Sequence, residues 1–500
     1  MGDTVRMRPG SMLLCLVGLA ACHTVSPDPP RPPNFVVILA DDLGIGDVHA
    51  FNPLSKIPTP NLDGLAADGM RFLDAHTPSS VCTPTRYGLL TGRYCWRSRL
   101  KSGVLDGYGA RLIERGRATL ADVLAGAGYH TAVVGKWHLG LGWPRTASGT
   151  IDFTRPVDDA PNRLGFASSF VIPASLDFPP YVFLRDGRVT DPHIVEQPAQ
   201  RFPAFLRRGP RARDLVMEDV LDRLVEQAVH TLRSRSLDRP FFLYLALSAP
   251  HKPVLPHPRF RGKSGLGPYG DFVCAVDDAV GRVLRALEHA GLHQHTLVLF
   301  TSDNGSFMRR FDDARQDHLD DPHVQGFRAA RHRANGPYRG TKADIWEAGH
   351  RVPTVVRWPS RIVPNSRCTT TVCLTDVFAT FAELAGIETP ADAAEDSFSF
   401  APQLLGQLPR AARPPVVHHS VNGTFAIRAG RYKLVASNGS GGREQPRGTP
   451  FGRPFALFDL ENDPGESHDL AAARPAVVAE LETMLARLRE RGRSVAPRVR

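Results

Sequence analysis

The chain is 500 residues long, with 42% hydrophobic and 22% charged residues and a formal net charge of +10. That length buries one large core or two unequal ones, and the balance of apolar to charged residues excludes disorder throughout. The positive residues are scattered and arginine-rich, with no basic helix face and no aromatic-interleaved patch. No nucleic-acid partner is therefore expected; the surplus reads as arginine-rich composition or, functionally, as suited to an anionic substrate.

In chain order, Arg6 and Arg8 precede the apolar run Met12 to Ala20, too short to cross a bilayer and of the right length for a secretory signal. The run ends Leu19-Ala20-Ala21-Cys22, which resembles a bacterial lipobox. That pattern implies cleavage before Cys22 and acylation of its sulfur; an ordinary signal peptide with a chance cysteine is the alternative. Residues 1–21 are thus expected to be a lipoprotein-type signal peptide and 22–33 a stiff Pro-rich tether. The mature protein would be an exported bacterial envelope lipoprotein, periplasmic or anchored to the outer membrane, touching membrane through its lipid alone.

Asn34 to Ala40 (NFVVILA) is a continuous apolar, β-branched run, predicted to be a strand buried on both faces. Thr131 to Val134, Phe241 to Leu247 and Thr296 to Phe300 read the same way. Amphipathic helical stretches are predicted at 61–69, 120–128, 215–233 and 272–291. The alternation predicts an α/β fold, a large mostly parallel or mixed sheet flanked by helices, over 34–390. After about residue 390, short strand-like pieces at 424–427, 432–435 and 456–460 surround a Gly/Ser-rich break at 438–442, and a final helix is predicted at 475–491. These predict a smaller C-terminal α+β domain, 391–500. Of seven cysteines, Cys95, Cys274, Cys368 and Cys373 are left without an expected modification, and disulfides among them are possible in an exported protein.

Polar residues follow each buried strand: Asp41-Asp42, Lys136-Trp137-His138, His251-Lys252 and Asp303-Asn304. Chemistry in such sheets gathers beyond the carboxyl ends of the strands. Asp41, Asp42, Asp303 and Asn304 offer hard oxygen donors, and no His or Cys ligands with zinc spacing accompany them, which favours calcium or magnesium. Three carboxylates and a divalent ion leave a residual negative charge, so an anionic substrate needs cationic side chains around it.

Residues 82 to 92 read Cys-Thr-Pro-Thr-Arg-Tyr-Gly-Leu-Leu-Thr-Gly. Pro84 suits a first helical turn, which places Cys82 at a helix N-terminus and Arg86 one turn on. The string resembles the sulfatase signature C-x-P-x-R with its trailing L-T-G. The strings around Lys136 and His138 (GKWHLG), His251 (APHKP) and Lys342 (GTKAD) resemble further motifs of that family, and the resemblance runs from Asn34 to the Leu457–Pro464 string. It implies that a formylglycine-generating enzyme converts Cys82 to formylglycine, whose hydrate attacks the sulfur of a sulfated small molecule or sugar. It also implies a calcium ion held by Asp41, Asp42, Asp303, Asn304 and the residue at 82. Lys136 and Lys342 would hold sulfate oxygens, His251 would bind substrate and protonate the leaving group, and His138 would take the proton when sulfate is expelled. Arg86 would orient the hydrate, and Asp303 could assist its deprotonation. Glu347 and Arg351 are expected to be structural ion-pair partners, with His350 standing where a small or aliphatic residue is more usual. Ser306 to Asn335, rich in Arg, His and Asp, reads either as a rim contacting an acidic sugar or as a solvated insertion, and Ile172 to Asp177 as a pocket wall. The alternatives are a phosphonate or phosphodiester hydrolase on the same scaffold, or a sulfated-glycan binding protein if Cys82 stays unmodified.

Overall fold

A computed structural model describes residues 1–4, 32–234, 239–409 and 411–496. The expected signal peptide (beyond its first four residues), Cys22 and most of the Pro-rich tether lie outside the described residues. From Pro32 onward the chain is one compact unit, organised around a ten-stranded sheet. Its strands are β1 (Asn34–Asp41), β2 (Met70–Phe72), β3 (His130–Lys136), β4 (Ser168–Ile172), β5 (Leu184–Arg185), β6 (Arg188–Val189), β7 (Phe241–Pro250), β8 (Thr296–Ser302), β9 (Thr354–Arg357) and β10 (Ser366–Cys368). They lie in the order β10-β2-β9-β8-β1-β7-β3-β4-β5-β6.

The four predicted apolar runs are the centre of this sheet. β1 pairs in parallel with β7 on one side (Phe35 opposite Phe242) and β8 on the other (Phe35 opposite Leu297). β7 pairs in parallel with β3, and β3 with β4. Only the margins are antiparallel: β9 against β8 and β2, and β4-β5-β6. Every residue of β1, β7 and β8 is buried, as a strand covered on both faces must be. The helices α1 (Pro60–Ala67), α2 (Cys82–Thr91), α3 (Leu120–Gly126), α4 (Val220–Ser234), α5 (Gly267–His289) and α6 (Asp376–Leu384) supply that cover. One set packs α1 and α4 on α5, the other packs α2 and α3 on α6. Phe381 of α6 stacks on Phe35 of β1 with centroids 4.3 Å apart.

α4 begins five residues later than predicted, after a single 3-10 turn at Met217–Asp219. α5 begins five residues earlier, because Gly267-Pro268 reads as a turn in the sequence yet proline is tolerated in a first helical turn. A four-stranded antiparallel sheet follows the main one: β11 (Val416–His419), β12 (Phe425–Ala429), β13 (Tyr432–Val435) and β14 (Ala456–Asp459). The last helix, α7 (Pro475–Glu490), packs Leu481, Leu485 and Leu488 against Ile427, Leu434 and Leu457 of that sheet. The possible disulfides are not formed: Cys82, Cys95, Cys274, Cys368 and Cys373 are all free and buried.

Candidate active site

The carboxyl ends of β1, β3, β7 and β8 converge with the N-terminus of α2. β1 ends in Asp41 with a register shift between Leu39 and Asp41 against β7, and Asp42 follows with φ 66°. β3 ends in Lys136, preceded by Gly135 at φ +120°, where a Cβ would stand 1.7 Å from the Ala246 carbonyl oxygen of β7. Only glycine allows that approach. Asp41, Asp42, Lys136, His138, Cys82, Arg86, Asp303 and Asn304 are each no more than 1% exposed, and His251 and Lys342 are nearly as buried.

Three carboxylates face three cations in this cluster. Lys136 Nζ lies 2.8 Å from both oxygens of Asp41. Lys342 Nζ lies 2.7 Å from Asp42 Oδ1 and 3.3 Å from Cys82 Sγ. Arg86 donates from Nε and Nη2 to Asp303 Oδ2 at 3.0 and 2.7 Å, and from Nη1 to the Lys136 carbonyl at 2.8 Å. Asp303 Oδ1 accepts the Asp42 backbone N–H at 3.2 Å. Cys82 Sγ is 3.7 Å from Asp41 Oδ1 and 4.0 Å from Asp42 Oδ1. Asp41, Asp42, Cys82 and His251 each bring a ligand-type atom within 4.8 Å of the others. Asn304 donates Nδ2 to Asp42 Oδ1 at 2.7 Å, which leaves its Oδ1 buried without a hydrogen-bond partner. A buried oxygen left open beside paired carboxylates suits a hard divalent ion such as calcium.

Burial dominates the acid–base character of the site. It pushes the Cys82 thiol up to about 12, with the Asp303 charge adding to the rise. It also raises Asp41, against the pull of Lys136. At Asp303 burial works the same way, but Arg86 and then Lys136 outweigh it and hold the carboxyl below its usual value. Burial would neutralise Lys342, but Asp42 and the other negative groups around it together outweigh burial and raise it. His251 and His138 are held well below the usual imidazole value, first by burial and then by the lysines Lys342 and Lys136 respectively. His251 Nδ1 donates to the Lys252 carbonyl at 2.5 Å, so Nε2 is the free nitrogen and lies 3.5 Å from Asp42 Oδ2. His138 Nε2 donates to the Leu105 carbonyl at 2.6 Å, which leaves Nδ1 without a partner.

Every residue expected to act therefore sits in one cluster, but Arg86 spends its guanidinium on Asp303 and the Lys136 carbonyl. Glu347 and Arg351 form the expected ion pair at 2.9 Å, and Lys433 joins them at 3.1 Å from Glu347 Oε1 and 2.8 Å from Glu466 Oε1. The pocket-wall segment contributes Asp177, whose Oδ1 lies 4.0 Å from His251 Nδ1. The histidines of 306–335 do not form a rim. His332 Nε2 pairs with Asp47 Oδ1 at 2.8 Å inside the fold, His318 is 2% exposed, and His323 Nδ1 meets the Phe202 carbonyl. Lys252, which the sequence sets beside His251 without giving it a role, and Arg443, which it does not single out, lie beside the cluster. Burial, then the charges of Arg443 and Lys342, pushes the Lys252 ammonium down to about 7. Arg443 follows Gly442, where a Cβ would stand 2.4 Å from the Ala343 carbonyl oxygen; that Gly/Ser-rich stretch is the only signal the sequence offers for it.

The sulfatase family profile matches residues 33–387, and a profile described as N-sulphoglucosamine sulphohydrolase, C-terminal, matches 341–491. An N-acetylgalactosamine-6-O-sulfatase of Bacteroides thetaiotaomicron is 35% identical over 92% of this chain and 94% of its own length. Human arylsulfatase A is 34% identical over 95% of this chain and 90% of its own. A solved structure described under the metabolism of multiple glycosaminoglycans by Bacteroides thetaiotaomicron superposes with a TM-score of 0.80 at 34% identity, covering 92% of this chain and 99% of that one.

Proposed function

We propose that this chain, which belongs to the sulfatase family and is an enzyme that hydrolyses sulfate esters, acts on a carbohydrate sulfate with formylglycine at position 82 and calcium held by Asp41, Asp42, Asp303 and Asn304. The observation that carries the reading is the sulfur of Cys82, 3.3 Å from Lys342 Nζ and 3.7 Å from Asp41 Oδ1, at the start of a helix and at the meeting point of four loops. A buried thiol pushed up to about 12 is protonated at neutral pH and is a poor nucleophile, so the cluster makes chemical sense around a different group at this position. The hydrated aldehyde supplies two hydroxyls on one carbon, one to attack sulfur and one to drive sulfate out afterwards. Calcium, when bound, supplies Lewis-acid polarisation and counter-charge.

The chain's own residues do the rest. Three carboxylates balance three cations, so a bound divalent ion leaves the site positive and ready for a sulfate ester. Lys136 and Lys342, preorganised by Asp41 and Asp42, are aimed at the oxygens on which charge develops. His251 presents Nε2 for protonation of the leaving oxygen. Among these cations it is neutral, and an arriving anion favours its charged form. His138 offers the bare Nδ1 as base for sulfate release. Asp303, held low by Arg86, serves as a charged anchor rather than as a base. The N-acetylgalactosamine-6-O-sulfatase likeness supports a sugar substrate. We assign export and acylation at Cys22, and modification by a formylglycine-generating enzyme, to the same proposal. Mass spectrometry of the Cys82 peptide from the native host tests it. Conversion lowers the peptide mass by about 18 Da, and an unmodified thiol in fully active protein would overturn the mechanism.

A further inference from the structure

Inside the catalytic cluster every lysine and arginine has a carboxylate: Lys136 has Asp41, Lys342 has Asp42 and Arg86 has Asp303. Immediately outside it the pairing stops. Lys252, next to His251, is only 7% exposed. Its ammonium reaches Gln325 Oε1 at 3.3 Å and lies 4.2 Å from the ring centre of Phe205 and 5.2 Å from that of Phe307. Arg443 donates from Nη1 to the Phe307 carbonyl at 3.3 Å. Phe307 itself is four residues beyond Asp303, so both cations gather on the loop that follows the metal-type carboxylate. Neither has a carboxylate partner within ion-pair distance among the described residues, and the same holds for Arg309 and Arg310.

A cavity of about 320 Å³ adjoins this group, with Arg309, Arg310, Tyr338 and Arg443 in its wall. That volume is in the range of small-molecule sites. The two carboxylates in the wall are engaged elsewhere. Asp344 accepts backbone N–H groups of Thr341, Arg443 and Glu444 at 2.9, 2.5 and 3.0 Å, and Glu444 is bound by Arg339 at 2.6 Å. Lys252 is withdrawn from water without a counter-charge, which costs several kcal/mol, and the neighbouring cations add to it. An arrangement of this kind is compensated when a ligand brings the negative charge.

We propose that Lys252, Arg443, Arg309 and Arg310 form an anion subsite for the leaving group, accepting a second acidic function, carboxylate or sulfate, on the sugar next to the one that carries the scissile sulfate. The proposal rests on reading the adjoining cluster as a carbohydrate sulfatase site, and narrows its substrate to acidic oligosaccharides.

The test separates the two readings by measuring binding apart from turnover. The probes are a desulfated hexuronic acid–N-acetylhexosamine disaccharide, the same disaccharide with its carboxylate reduced to the alcohol, and a form of the latter sulfated on the second sugar. In calorimetry the parent protein binds at least one of the two acidic forms about tenfold more tightly than the neutral one, and the arm that gains identifies the anion. K252Q and R443Q each cut that preference severalfold. R309Q/R310Q, altered at exposed positions where folding is not at stake, also lowers it. Equal affinity for all three probes, or a preference that survives in every variant, overturns the subsite. Turnover of a neutral aryl sulfate is followed in parallel on the parent, and its absence would indict the hydrolytic reading without touching the binding comparison.

Discussion

Lys342→Met is the most informative single perturbation of the cluster. The ammonium lies 2.7 Å from Asp42 Oδ1 and 3.3 Å from the sulfur of Cys82, so it ties one carboxylate to the reacting position. Burial favours loss of its proton, but Asp42 with the neighbouring negative groups outweighs that, and the group stays charged through neutral and alkaline pH. Removing one preorganised donor from a site where negative charge develops costs about 10²–10³ in kcat, or about 2.7–4 kcal/mol of transition-state stabilisation. Asp42 keeps the Asn304 amide at 2.7 Å, so the carboxylate retains a donor, and the melting temperature of the variant checks that it is folded. The assay is initial-rate hydrolysis of an aryl sulfate at saturating calcium, with the fraction of formylglycine at position 82 measured on the same preparation. The expected result is a kcat lower by about two to three orders of magnitude, with KM changed far less. Lys342→Arg should fall between, since a planar fork does not reproduce a point charge held on both Asp42 and position 82. A Lys342→Met enzyme with kcat within about threefold of the parent would refute the assignment.

Other consequences of the geometry can be measured directly. Asp303→Ala removes the partner of Arg86 and a metal-type oxygen; turnover should vanish, and the rise in melting temperature on adding calcium, cancelled by chelator in the parent, should be lost. Lys433→Met strands Glu466 in the interior and leaves Glu347 with Arg351 alone, and urea unfolding should show a loss of about 3–5 kcal/mol. His76, His350 and His418 are held below their ordinary value of 6.5, first by burial. Below that pH the unfolded chain binds protons that the native state refuses. Stability should therefore be greatest above about pH 6.5 and fall on acidification, by up to about 1.4 kcal/mol per pH unit for each histidine. His350→Val should flatten the slope by about half a proton near pH 6.5 and about one proton below pH 5.5, and an unaltered slope would contradict the assignment.

Much of this arrangement is legible in the order of the amino acids. Strands buried on both faces announce themselves as unbroken apolar runs, and β1, β3, β7 and β8 fall where those runs lie, each trailed by its polar residues. A parallel sheet then carries those residues to one edge, so Asp41, Lys136, His251 and Asp303 can be grouped without knowing a distance. The partners inside the group are not legible. Arg86 is expected at the hydrate, yet a guanidinium one helical turn from Cys82 finds the nearest carboxylate and carbonyl, those of Asp303 and Lys136. The histidines of 306–335 mislead for a similar reason. Their sequence context is polar, but His318 and His332 are drawn inward among aromatic rings, His332 with Asp47 as its partner. Arg443 is hidden altogether, because its position depends on how closely Gly442 approaches the Ala343 backbone, a tertiary fact.

The distribution of charge carries a final step. In the centre each cation is held by a carboxylate, which fixes its direction and makes it an instrument for one group, the sulfate. At the margin Lys252 and Arg443 are held, among the described residues, by an amide oxygen, a carbonyl and aromatic faces, which orient them without spending their charge. Paired cations suit a step in which charge moves by fractions of an ångström, because preorganisation lowers the reorganisation needed at that moment. Unpaired ones suit capture, because their attraction is available to whatever anion arrives. Raising ionic strength should depress kcat/KM for acidic oligosaccharides while leaving kcat nearly unchanged, since screening reaches the exposed Arg309 and Arg310 and not the buried centre. A parallel fall of kcat with salt would show that the central pairs are screened as well and would remove the distinction.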